Sequence, residues 1–249
     1  MTHPLSLQLY TLRDALAADL PGTLQRVFDL GYRSVELFGF VDKAERFRDA
    51  LAEASLTASS AHAVFIAAGD DVTPVLDAAS VAGVPVVIDP AVPPERWTER
   101  ESVAQIAAAL NGAAEIAADR GIAIGYHNHA WELANRIDGT PALEVLADLL
   151  DDEVLLEVDT YWATVGGVPA VELLGRLGER VRFLHVKDGP ISADNKEQTA
   201  VGAGNMPVRE ILAAAPDAVR VVELDDFDGD MFVAVEDSIR ALTQMGENR

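Results

Sequence analysis

The sequence contains no cysteine, so it can build neither a disulfide framework nor a thiolate metal site. Any metal it binds takes nitrogen and oxygen ligands, and a reducing, cytoplasmic setting is the expectation. Long hydrophobic runs are also missing. No segment has about 18 uninterrupted apolar residues, and the opening MTHPLSLQLYTLRD lacks a basic region followed by an apolar stretch and a small-residue cleavage site. Neither a membrane span nor an export signal is therefore expected. Positive charge is scarce: 19 basic residues, only three of them lysine, stand against 41 acidic ones, for a formal net charge of −22. A surface of that sign repels phosphate backbones instead of releasing their counterions, which removes nucleic acid and anionic membranes from the expected partners. Histidine is scarce too, with five in 249 residues, so where those five fall carries information.

What is present is a regular alternation. Strand-like apolar runs recur at residues 5–10, 34–38, 57–62, 84–89, 122–129, 154–159, 182–187 and 220–224. Segments of helical periodicity follow each of them, among them LPGTLQRVFDLG, KAERFRDALAEA, ESVAQIAAALNGAAEIAADRG and MFVAVEDSIRALTQM. Several of these helices begin or end on recognisable signals: Asp19 before Leu20-Pro21, Thr140 before Pro141, and Gly31, Gly83 and Gly121 after a last turn. Eight such pairs without a linker or a break in composition predict an α/β fold, a (β/α)₈ barrel spanning residues 1–249 as a single domain. In barrels of this kind the active site lies at the C-terminal ends of the strands.

The polar residues at those ends form a series. The sixth strand ends in Asp159, the seventh in His185 and Lys187, and the eighth in Glu223 followed by Asp225. Parallel strands covered on both faces read as near-continuous apolar runs, so acids and imidazoles at their ends depart from the packing rule. Carboxylates this close raise each other's pKa, and a divalent cation held by Asp159, His185 and Glu223 resolves the conflict. The fifth strand, in GYHNHAWEL, offers His127, His129 or Glu132 as a fourth ligand, and the residues alone leave that choice open. Gln8, Glu36 and His62 face the same mouth as candidate substrate-binding or supporting groups, and His129 and Trp162 are further candidate substrate contacts. Lys187 is a candidate for neutralising an oxyanion. Four of the five histidines sit at strand ends. With no compact basic cluster there, an unphosphorylated substrate is expected. Asp159 also suits the cap of a turn into YWATVGG, and the glycines of Gly202–Ala203–Gly204 read as an ordinary loop.

Six segments, SLQLYTLRD, GYRSVELFGF, GYHNHAWEL, LEVDTYWA, FLHVKDG and VVELDDFDGD, together resemble the xylose isomerase-like barrel family. That family includes sugar isomerases, sugar epimerases, inosose dehydratase and, distantly, apurinic endonuclease IV. The resemblance implies a TIM barrel with one divalent ion, Mn²⁺ foremost and Mg²⁺, Co²⁺ or Zn²⁺ as alternatives. It matches Asp159, His185 and Glu223 to the family's ligands from strands 6, 7 and 8. Family members commonly carry a glutamate at the end of strand 5. Here His127 stands at about that position with Glu132 downstream, as in the inosose dehydratase branch and the YHNH-type proteins. Glu132 is the expected strand 5 ligand if its loop turns inward, and His127, Glu132, Glu223 and Lys187 are the expected catalytic groups. The implied function is a metal-dependent isomerase or epimerase of a sugar, keto-sugar or polyol, acting through an enediolate. The alternatives are a lyase of the inosose dehydratase or 3-keto-glycoside type, and a non-catalytic sugar-binding barrel subunit. Related barrels often associate through their helices, which makes a homo-oligomer an expectation, and the charge of −22 argues against the endonuclease branch.

Overall fold

The computed structural model describes residues 3–67, 69 and 71–248. Eight parallel strands close into a barrel: β1 Ser6–Gln8, β2 Ser34–Phe38, β3 Thr57–His62, β4 Val86–Asp89, β5 Ala123–His127, β6 Leu155–Asp159, β7 Val181–Val186 and β8 Val219–Val222. Their order around the ring follows the chain, and β1 pairs with β8 to complete it. Eight helices cover the outside: α1 Leu20–Asp29, α2 Ala44–Ala54, α3 Thr73–Ala82, α4 Arg100–Ala118, α5 Ala142–Leu149, α6 Ala170–Leu177, α7 Val208–Ala214 and α8 Met231–Met245. The expected α/β barrel is therefore present, with β1, β4, β5, β6 and β8 shorter than their apolar runs.

The trimming has local causes. After Gln8 the chain leaves the ladder for a 3₁₀ turn, Leu9–Leu12, because the Gln8 side chain accepts a hydrogen bond from Tyr10 N–H. Asn128 and His129 lie past the end of β5, and Glu223 lies one residue past β8. At the helix ends, Asp19 caps α1 by accepting from Gly22 N–H at 3.1 Å, and Gly83 stops α3 at φ 74°, a conformation open to glycine at little cost.

Alternation along the strands sorts side chains into two cores. Leu7, Val35, Ile124, Tyr126, Val158 and Leu184 face outward into the layer filled by Leu24, Leu76, Ile106 and Leu146 from the helices. A separate, small cluster of Val86, Ile88, Phe183 and Val221 fills the lumen. Above that plug the same inward rows turn polar: Phe183 is followed by His185 and Lys187, Val221 by Glu223 and Asp225, and Leu155 by Glu157 and Asp159. Glycine at 125 keeps room in this row, since a Cβ there would lie 3.2 Å from Ile88 Cγ1 and 3.3 Å from the Leu155 carbonyl oxygen.

Two short helices, Trp131–Ala134 and Thr160–Val165, follow β5 and β6 at the barrel mouth. After β7, a longer excursion is tied down by buried Asp188, whose carboxylate accepts from Gly189, Gly202 and Met206 N–H groups at 2.8, 2.8 and 3.0 Å. The Gly202–Gly204 loop follows from this tether: a Cβ on Gly204 would collide with Asp188 and with the backbone of Gly189. Among the described residues, no helix is long and apolar enough to cross a membrane.

Candidate active site

Register brings the inward polar residues into contact. His127 on β5 pairs with Glu157 on β6, and Asp159 pairs with His185 on β7. Gln8 pairs with Glu36, which pairs with Ser60. The ladder shifts register immediately before Glu36 and again immediately before Glu157. Such irregularities re-aim side chains, and here each precedes a fully buried glutamate.

Two overlapping groups of ligand-type atoms result, each with its atoms within 4.8 Å of one another. One is His127, Asp159, His185 and Glu223; the other is His62, His127, Glu157 and His185. In the deeper group, Glu157 Oε2 lies 2.6 Å from His62 Nε2, 3.1 Å from His127 Nδ1 and 3.1 Å from His185 Nε2. Glu36 supports it from below: its Oε1 lies 2.7 Å from His185 Nε2 and accepts from Gln8 at 2.6 Å, and its Oε2 accepts from Ser60 at 2.6 Å. In the upper group, His185 Nδ1 meets Glu223 Oε2 at 2.7 Å. The His185 ring therefore spans both groups, one nitrogen to each. Beside it the buried Lys187 ammonium lies 2.9 Å from Asp159 Oδ2, 2.7 Å from Glu223 Oε2 and 2.7 Å from Asp225 Oδ2.

Burial and charge set the protonation states. Burial alone would lower the Lys187 pKa, yet Asp159, Asp225 and Glu223 together hold it well above the ordinary lysine value. Burial likewise opposes the imidazolium of His185, and Glu157 and Glu223 outweigh it. Glu157 and Glu223 are the reverse case, with burial outweighed by the cations around them, so both carboxyls sit well below the usual range. His127 is held neutral by burial, with His185 adding to the effect. Burial raises Asp159 to about 6.

The expected residues divide accordingly. His127, Asp159, His185 and Glu223 come together, so of the three strand 5 candidates it is His127 that the geometry joins to the other ligands. Glu132 does not join them. It falls in the helical turn Trp131–Ala134, where its carboxylate accepts from the Tyr126 hydroxyl and from His129 N–H, both at 2.8 Å, and it does not line the mouth. Gln8 and Glu36, candidates for touching substrate or for supporting other groups, are fully buried beneath the mouth, where Gln8 donates to Glu36 and Glu36 holds His185 and Ser60. Asp159 serves two purposes, since its Oδ1 caps Thr160–Val165 at Trp162 N–H while Oδ2 faces Lys187. Trp162 thus lies in a helix, not in a loop, and its indole N–H donates to Asp225 at 3.1 Å. Glu157 is the residue that reading only the strand ends misses, although the acid in LLEVD lies two before Asp159 and so on the same face.

A cavity of about 1150 Å³ opens above this floor, lined by His62, His127, His129, Glu223 and Asp225 with Tyr10, Trp131 and Trp162. The donor set suits a divalent cation of middling hardness: two imidazoles and two carboxylates, all buried, from four neighbouring strands. Asp159 Oδ2, close to Lys187 but in hydrogen-bond alignment with no donor, and the unpartnered Glu157 Oε1 are buried acceptor atoms with capacity to spare.

Comparison with known proteins bears on fold and family. A 2-epi-5-epi-valiolone 7-phosphate 2-epimerase from an Actinoplanes species is 33% identical over 163 residues, or 61% of this chain and 56% of that protein. An inosose dehydratase from Geobacillus kaustophilus is 34% identical over 80 residues, 32% of this chain and 25% of that one. The chain thus spans about half or less of the curated relatives it matches. The crystal structure of a sugar phosphate isomerase/epimerase from Parabacteroides distasonis superposes with a TM-score of 0.84 at 25% identity, covering 96% of this chain and 92% of the other. Residues 24–224 match the sequence profile described as Xylose isomerase-like TIM barrel, and the chain belongs to that family.

Proposed function

We propose that this chain is a divalent-metal-dependent isomerase or epimerase that moves a proton on a carbon next to the carbonyl of a sugar, keto-sugar or polyol-derived substrate. The observation that carries the reading is the convergence of His127, Asp159, His185 and Glu223 at the floor of a large open cavity. A divalent ion held by these four residues would supply Lewis-acid polarisation of the substrate carbonyl. The chain supplies the rest. His62, which faces the cavity and is not one of these four, can exchange a proton with a bound ligand, and acid–base help of this kind is typically worth ~10²–10⁴-fold. Lys187 fixes the carboxylates of Glu223 and Asp225, while Trp131 and Trp162 offer flat apolar surfaces to a sugar ring.

Elimination of a hydroxyl β to the carbonyl is the second reading. It is supported by the similarity to an inosose dehydratase. The two part by product. In D₂O, isomerisation or epimerisation leaves solvent deuterium beside the carbonyl of a keto-sugar, whereas elimination yields an ultraviolet-absorbing enone. The first experiment is elemental analysis of the purified chain before and after incubation with Mn²⁺, beside Asp159→Ala and His185→Ala checked for folding by circular dichroism. About one ion per chain, absent from the folded variants, is expected. A native chain that takes up no ion and exchanges no substrate proton would sink both readings.

A further inference from the structure

The cavity is larger and more apolar than a bare sugar needs. At about 1150 Å³ it exceeds the roughly 300–1,000 Å³ of pockets that bury most of a drug-sized ligand. Outward from His62, His127 and Glu223 its wall is Phe38, Phe40, Val64, Phe65 and Trp131. Phe38 and Val64 stay 40% and 48% exposed, an open apolar lip over a polar floor. Trp131 is held rigid by ring stacking on His129 at 4.2 Å and by its indole N–H donating to the Val92 carbonyl oxygen at 3.2 Å.

Charge narrows the ligand further. Among the described residues lining the cavity there is no lysine or arginine, and its acidic members are Asp42, Asp71, Glu223 and Asp225. The buried lysine below it, Lys187, is already matched by three carboxylates. A phosphate ester entering here would lose its water without gaining a lysine or arginine partner and would face like charges.

We infer that the substrate is an uncharged keto-glycoside: an unphosphorylated sugar ring that carries its carbonyl on the ring, seated on the polar floor, and bears an aromatic or similarly apolar aglycone that lies against Phe38, Val64, Phe65 and Trp131. The identity of the ring as a sugar rests on the function proposed above; the aglycone and the exclusion of phosphate rest on the cavity.

The test reads affinity alone. Tryptophan fluorescence follows titration of the Mn²⁺-supplemented chain with D-glucose, phenyl β-D-glucoside and D-glucose 6-phosphate, since Trp131 and Trp162 both border the cavity. Burial of the phenyl ring is expected to tighten binding about ten- to a hundredfold over glucose, with the phosphate ester weaker than glucose. Phe38→Ala and Val64→Ser, both at exposed positions, should each remove much of the phenyl gain and leave the affinity for glucose unchanged. A phenyl glucoside that binds no better than glucose, or a phosphate ester that binds better, overturns the inference. Because turnover is not measured, a chain that isomerises sugars but prefers the phosphate ester refutes this inference alone. A chain that binds the glucoside but exchanges no substrate proton refutes only the proposed reaction.

Discussion

Glu132 and Glu157 are both buried and both hydrogen-bonded, yet their surroundings push them in opposite directions. Three imidazoles converge on Glu157 and keep it ionised. Glu132 has only neutral donors, and burial raises its carboxyl from an ordinary 4.5 to about 8. The unfolded chain releases this proton near pH 4.5 and the folded chain near pH 8, so in between the folded state binds more protons and stability falls as pH rises. Glu132→Gln should therefore match the native chain near pH 5 and exceed it near pH 9 by a few kcal/mol, at about 1.4 kcal/mol per pKa unit, read from urea midpoints at each pH. A constant difference across that range would contradict the assignment. Glu157→Gln should instead destabilise the chain by about 3 kcal/mol, because it leaves buried cations uncompensated. Glu236→Gln, which breaks the exposed pair with Arg240, should cost under about 1 kcal/mol in the same assay. Glu157 itself was open to sequence reading: an acid inside an apolar strand, two residues before Asp159, already shared the inward face.

At the level of elements, the legible parts are those long enough to display a period. The eight strands and eight outer helices repeat an alternation or a 3.6-residue pattern several times, and all appear in the structure. Trp131–Ala134 and Thr160–Val165, of 4 and 6 residues, are too short to show one, and these two decide where Glu132 and Trp162 point. Of the candidate site, His127, Asp159, His185 and Glu223 were therefore readable, strand-borne Glu157 was missed, and Glu132 was misplaced where a short helix intervened. The long excursion after β7 is a further irregular element that shapes the mouth. Ala193 and Asn195 border the cavity, and Gln198 donates to Asp225 at 2.7 Å. Asp188→Ala leaves three N–H groups at its base without their acceptor. Hydrogen exchange should accelerate across residues 189–206 while the barrel strands keep their protection, and KM should rise more than kcat falls. Uniform acceleration through the barrel would instead make Asp188 part of the global core.

For the molecule as a whole, the charge of −22 means that compaction works against self-repulsion. Salt that shortens the Debye length from about 30 Å at 0.01 M to about 3 Å at 1 M should raise Tm by a few °C. A fall in Tm would show that surface ion pairs outweigh the repulsion. The closure of the ring has its own consequence. β1 pairs with β8, and Leu224 N–H donates to Thr11 Oγ1 across 213 residues of sequence. On a translating ribosome the first strand is therefore made long before its partner. Until Val219–Val222 emerge, the nascent sheet carries two unpaired edges, β1 at one side and the last completed strand at the other. The interval before closure is when those edges are most open to pairing with another chain.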